Sequence, residues 1–179
     1  MAVLEPTASR WRFRRGLVAW SAAALGLYLL GAWMGGAGAL LVPGVPLHPT
    51  NVIGSVVDVF GHNLEVLAWI SAGAATLGLT TAAELFMNGT ILGFVSVEMI
   101  EGHHALSLLT AVGPQLPLEL GAYVIAAGAT LRLGWNLWWP LLSRRERRPV
   151  RWKAWMVAEG AAVTMLFAGA LVEVLFSHV

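Results

Sequence analysis

The chain has 179 residues, 58% of them hydrophobic and 12% charged, with a mean hydropathy of +0.71, whereas a soluble globular domain is about one quarter charged. The formal net charge is +1 and cysteine is absent, which excludes disulfides, thiolate catalysis and thiolate metal sites. This composition specifies one membrane domain over residues 1–179, read as an all-α polytopic transmembrane bundle of about five spanning helices.

In chain order, Arg10, Arg12, Arg14 and Arg15 precede a charge-free run from Gly16 to Val42, which is too long for a signal-peptide core and enough for a tilted spanning helix. Further apolar stretches of spanning length are about Leu64 to Phe86, Thr90 to Leu109, Leu118 to Leu141 and Ala154 to Phe176. Asn88-Gly89 is a strong turn signal because both residues tolerate positive φ, so the second and third helices are expected to form a tight hairpin at Met87-Asn88-Gly89. The motifs Gly31-x-x-x-Gly35, Ala74-x-x-x-Gly78 and Gly89-x-x-x-Gly93 have the small-residue spacing that lets helices approach closely in lipid.

Six of the eleven Lys and Arg residues lie between Arg144 and Lys153. Basic residues near span ends stay cytoplasmic, so this loop and the N-terminal arginines belong on one side, which requires an even number of crossings between them. The first four segments supply it, leaving the N-terminus cytoplasmic and the C-terminus outside. The nine tryptophans fall mostly near proposed helix ends, at headgroup level.

This topology sorts the ionisable residues. His48, His62, His103, His104 and His178 gather at the outer side with Asp58, Glu65, Glu101, Glu119 and Glu173, and Glu98 lies about one turn deeper. Glu101-Gly-His103-His104 contains a Glu-x-x-His spacing that could bind metal, although di-iron bundles need two copies. Glu84, Glu159 and Arg132 lie deeper in apolar segments, where a charge is costly, and an Arg132 pair with Glu84 or Glu159 would satisfy both partners. In the break Val112 to Tyr123, Pro114 and Pro117 stop one helix and suit the first turn of the next, where Glu119 meets free N–H groups. Phosphate loops, nucleophile elbows and His-Glu-x-x-His pairs are absent, and the polar segments are too short for an extramembrane catalytic domain, so neither enzyme activity nor a cofactor is expected. The basic loop reads as a topology and anionic-lipid determinant, not a nucleic-acid site.

Asn63-Leu64, the Gly-rich stretch Ser71 to Gly78, Phe86-Met-Asn-Gly-Thr-Ile-Leu-Gly93, Pro114-Gln-Leu-Pro-Leu-Glu-Leu120 and Ala126-Ala-Gly-Ala-Thr-Leu-Arg-Leu-Gly134 follow one another in an order that resembles the stage II sporulation protein M family. The family pattern has an Asn-Gly turn with a following Gly, here Asn88, Gly89 and Gly93, and a Pro-His-Gly-x-x-Glu-Leu segment. Pro114 and Glu119 match that segment, while Gln115 and Leu116 replace its His and Gly. Ala170-Leu-Val-Glu173 resembles the family's closing helix. The resemblance implies a multi-pass protein of the cytoplasmic (inner) membrane. In spore formers the name-giving member is a scaffold for peptidoglycan-degrading partners during cell-envelope remodelling.

The leading expectation is therefore a non-enzymatic scaffold or complex subunit, with the lipid bilayer, other membrane or envelope proteins and a homo-oligomeric copy as partners. One alternative is a transporter or channel component with a path along Glu84, Glu98, Glu119, Arg132 and Glu159. Another is a membrane metal-binding protein using Glu101, His103 and His104.

Overall fold

A computed structural model describes residues 6–41, 55–102, 106, 113–143 and 150–176. Among these, all regular structure is helical: α1 (Pro6–Leu41), α2 (Val56–Ala72), α3 (Leu79–Glu101), α4 (Leu116–Ser143) and α5 (Trp152–Phe176). Among the described residues four segments are long and apolar enough to cross a membrane: Gly16–Leu41, Leu79–Glu101, Leu116–Ser143 and Trp152–Phe176. α2, with 17 residues, gives roughly 25 Å of helix.

Large apolar side chains point outward, including Trp33 at 71% exposure and Val157 at 72%, while the interior is dominated by alanine, glycine and a few larger residues such as Ile70, Leu85 and Leu166. That inversion suits lipid: with apolar surroundings on the outside, helices gain by close backbone approach and not by burying bulk. Each helix carries one such face, spaced by three and four residues: Asn63, Val66, Leu67 and Ile70 on α2; Thr81, Leu85, Gly89 and Gly93 on α3; Ala158, Ala162 and Leu166 on α5. Among the described helices α4 is the most deeply embedded, touching the four others.

The side-chain contacts fix the direction of every helix. On α1 and α4, Gly16 meets Arg132 and Ser21 meets Gly128, so the two run antiparallel. Gly31 packs on the Phe86 carbonyl and Gly35 on that of Thr90, so α1 and α3 run parallel. Asn63 meets Glu119 and Ala74 meets Trp138, so α2 runs with α4. Glu159 meets Thr130 while Gly169 meets Glu119, so α5 opposes α4. Direction thus alternates through the five described helices. The start of α1, the end of α4 and the start of α5 therefore share one end of the bundle, the end to which the parity of crossings assigns the basic residues. With no native cysteine, Ser143→Cys and Glu101→Cys are expected to react with a membrane-impermeant maleimide from opposite faces of a sealed vesicle; labelling of both from one face would contradict this alternation.

The helix boundaries correct the expected second and third spans. No hairpin turn forms at Asn88-Gly89: α3 runs through both residues, and the side chain of Asn88 donates back to the Glu84 carbonyl at 2.9 Å. The Asn-Gly pair permits a turn but does not compel one, and Gly89 serves instead as a close-packing site against the Tyr28 carbonyl. The reversal falls earlier, at residues 73–78, inside the apolar run expected to be a single span over 64–86. Leu77 (φ 57°) and Gly78 (φ 88°) turn the chain in the left-handed region. Such irregular backbone is tolerated at depth only when its polar groups are satisfied. Here Gly73, Ala74 and Ala75 amides donate three residues back, the Gly78 amide donates to Gly73, and the Trp138 indole N–H donates to the Ala74 carbonyl at 2.9 Å. Ala74 and Gly78 therefore belong to a turn packed on Gly134, not to a helix seam.

At the other end α2 begins with a capping box. Ser55 and Asp58 exchange bonds, the Ser55 hydroxyl and amide donating to the Asp58 carboxylate at 2.7 and 2.9 Å. These two bonds, the hydroxyl first, hold the Asp58 carboxyl below its ordinary range. The stabilisation they bring is present at neutral pH and is lost as pH falls through that lowered value.

Candidate functional site

A cleft of about 450 Å3 opens at the end of the bundle opposite the end of α4 and the start of α5. α1 contributes Tyr28, α2 contributes Asp58, His62 and Asn63, α3 contributes Asn88, α4 with its preceding turn contributes Gln115, Glu119 and Tyr123, and α5 contributes Glu173. Sequence places each locally. On α4, the Gln115 carbonyl accepts the amides of Leu118 and Glu119 at 2.9 and 3.1 Å, starting the helix just after Pro114 with Pro117 in its first turn, where its missing donor costs nothing. Glu119 and Tyr123 then lie one turn apart on one face.

The core of the cleft is a chain of two hydrogen bonds. The Tyr123 hydroxyl donates to Asn63 Oδ1 at 3.0 Å, and Asn63 Nδ2 donates to Glu119 Oε1 at 2.9 Å. Asn63 and Tyr123 are 7% and 5% exposed. The amide orientation of Asn63 is thereby fixed at both ends: its oxygen takes the phenol and its nitrogen serves the carboxylate. Glu119 lies in the first turn of α4, as expected for an acid near a helix N-terminus, yet its carboxylate bonds across to α2. Glu173 and His62 lie close enough to Glu119 to interact electrostatically.

The remaining sequence candidates separate from this cleft. Glu84 sits one turn from Asn88 on α3, its carboxylate 3.4 Å from the Asn88 amide, and lies within electrostatic reach of Tyr123. Gly89 and Gly93 form the seam with α1, packed on the carbonyls of Tyr28 and Ala32. Glu98 Oε1 is buried without a hydrogen-bond partner among the described residues. Glu101 is exposed at the end of α3, and His103 and His104 lie outside the described residues. Among the described residues no group of three His, Asp or Glu is placed to hold a metal.

The expected pairing of Arg132 with Glu84 or Glu159 does not form. Glu159 accepts from Thr130 at 3.2 Å and has Ser71 and Trp155 beside it, and the Trp155 indole N–H donates to Thr130 at 3.1 Å. The Thr130 hydroxyl, itself held by the Trp155 indole, serves the acid in place of an arginine among the described residues. Arg132 lies at the basic end instead, against Gly16 and in a pocket of about 30 Å3 with Asn136 and Arg151. Trp135 stacks on Trp139 there with centroids 4.4 Å apart, Trp20 meets Trp135 at a tilt with centroids 5.8 Å apart, and Trp152 meets Trp155 edge-on nearby, as an aromatic belt at a membrane interface would.

Tyr28, Tyr123 and the role of Asn63 escaped the sequence reading. The signal was present: Asn63 interrupts the buried spacing Asn63, Val66, Leu67, Ile70, and the chain has two tyrosines against nine tryptophans, both of them in the cleft.

An all-helical, outwardly apolar bundle with a polar cleft at one end is an integral membrane protein. The family model described as stage II sporulation protein M matches residues 24–178, and the chain belongs to that family. No match was found among curated proteins or among solved structures.

Proposed function

We propose that the chain is a non-enzymatic scaffold subunit of a complex in the cytoplasmic membrane, and that the cleft receives part of a partner. The observation that supports this most is the one-sidedness of the cleft. One turn below Tyr123, Ala126 and Ala127 are fully buried and pack in one cluster with Ile70, Leu85 and Leu166, each at 0–1% exposure. A transport path would need to join Glu119 to Glu159, and this packed layer lies across the way, which favours holding over passage. The basic residues favour a cytoplasmic location for the opposite end, which in this reading turns the cleft outward, toward the envelope. The glycine motifs Gly31/Gly35 and Gly89/Gly93 pack against each other's helices within one chain, which favours another membrane or envelope protein over a second copy docked on those motifs.

Co-purification from native membranes tests this reading. A tagged Glu119→Gln chain, inserted at the normal level, is expected to recover its main partner at least about tenfold less well than the parent chain, the equivalent of about 1.4 kcal/mol. Equal recovery from both chains would overturn it.

A further inference from the structure

The cleft is lined by three carboxylates, those of Asp58, Glu119 and Glu173, and its basic member is His62; no lysine or arginine lines it among the described residues. Two details show where a ligand would be held. Tyr28 is 6% exposed and lines the cleft, yet its hydroxyl makes no hydrogen bond among the described residues, whereas Tyr123 is committed to Asn63. Asn63 occupies only Oε1 of Glu119. Oε2 of Glu119, the carboxylate of Glu173 and the oxygen of Tyr28 are therefore three acceptors from three different helices, facing a space with no protein donor assigned to them.

We propose that this cleft binds a protonated amine, its ammonium seated among Glu119, Glu173 and Tyr28. An ammonium carries three N–H donors and no acceptor, which matches the three acceptors one for one. The low dielectric of a half-buried site strengthens the attraction to Glu119 and Glu173, which otherwise repel each other. The acids are spread around the cleft and not gathered at metal-ligand spacing, which suits an organic cation better than a divalent ion. The volume falls within the range of about 300–1,000 Å3 typical of small-molecule sites, leaving room for an alkyl stem behind the charge. Two sources share this chemistry: a lysine side chain presented by the partner, and a free polyamine. The first rests on the scaffold reading given above.

The test is a titration of the purified full chain in detergent with N-acetyl-lysine-methylamide, with spermidine, with the uncharged norleucine analogue and with magnesium chloride, followed by calorimetry and thermal unfolding. Both amines are expected to bind and raise Tm, and the norleucine analogue to do neither. Tighter binding of the lysine analogue identifies a partner's side chain as the source, and tighter binding of spermidine a free polyamine. Glu173→Gln is expected to weaken amine binding at least about tenfold, and Tyr28→Phe, which removes a hydroxyl bonded to none of the described residues and so leaves their packing intact, about three- to tenfold. Glu101→Gln, outside the cleft, is expected to bind as the parent does. The proposal is overturned if no amine binds the parent chain, if the norleucine analogue binds equally, if magnesium binds in place of the amine, or if Tyr28→Phe and Glu173→Gln leave binding unchanged. Failed amine binding with Glu119-dependent partner recovery intact would remove this inference and leave the scaffold standing. Amine binding without that dependence would do the reverse.

Discussion

Gly93→Val is expected to lower the stability of the bundle by roughly 3 kcal/mol, at the upper end for overpacking, because the space a side chain would need is filled by backbone. A Cβ at Gly93 runs into the carbonyl of Ala32, and those at Gly31, Gly35 and Gly89 run into the carbonyls of Phe86, Thr90 and Tyr28. Four glycines on two parallel helices thus meet carbonyls of the facing helix, and neither helix can yield without moving as a unit. Flexible side chains could rotate away; main chain cannot. Gly26 and Gly38 lie on the same α1 helix with nothing within 4 Å of an added Cβ. Their change to alanine is expected to be neutral or to stabilise by up to about 1 kcal/mol through helix propensity. Thermal unfolding in detergent separates the two classes: for a chain of this size about 3 kcal/mol corresponds to roughly 6–12 °C in Tm. A Gly93→Val chain that melts with the parent would mean that the α1–α3 seam is not formed.

Asn63→Ala should produce the second large loss, about 2–4 kcal/mol, and should also reduce partner recovery. The change removes the donor to Glu119 and the acceptor for Tyr123 together, leaving a carboxylate and a buried phenol without their bonds. Asn88→Ala is the matched control. Its side chain bonds back within its own helix, to the Glu84 carbonyl at 2.9 Å, and its loss is expected to cost no more than about 1 kcal/mol. If both alanine variants lose the same stability, the bond chain from Tyr123 through Asn63 to Glu119 does not hold α2 against α4.

Much of the architecture is legible along the chain. The apolar runs behind the four described spans, the shared end of the start of α1 and the end of α4, and the collection of Asp58, His62, Glu119 and Glu173 at the opposite end all follow from summed hydropathy and charge placement. The second helix pair was misdivided because its signals were local and ambiguous. Asn88-Gly89 carries the strongest turn dipeptide in the chain, but Gly89 is used for its missing side chain and not for its dihedral freedom. The real reversal at 73–78 looks like ordinary small-residue helix, and it is held by a tryptophan from α4 more than sixty positions away. Charge alone pairs Arg132 with Glu159, whereas the acid accepts from the Thr130 hydroxyl, which in turn accepts from the Trp155 indole, a neutral relay that hydropathy does not reveal.

By itself, then, the sequence determined that this is a helical membrane protein, which ends of its helices share a side, and where its acids gather. These depend on quantities that add up residue by residue: transfer free energy over about 20 positions and the cost of moving charge across lipid. Only the tertiary structure decided which glycines form a seam, where the chain turns, and that Tyr28, Asn63, Glu119, Tyr123 and Glu173 face one cleft. Asn63 lies 56 positions from Glu119 and 60 from Tyr123. Such partners are chosen by the packing of whole helices, whose small-residue faces allow several registers until close backbone contact selects one.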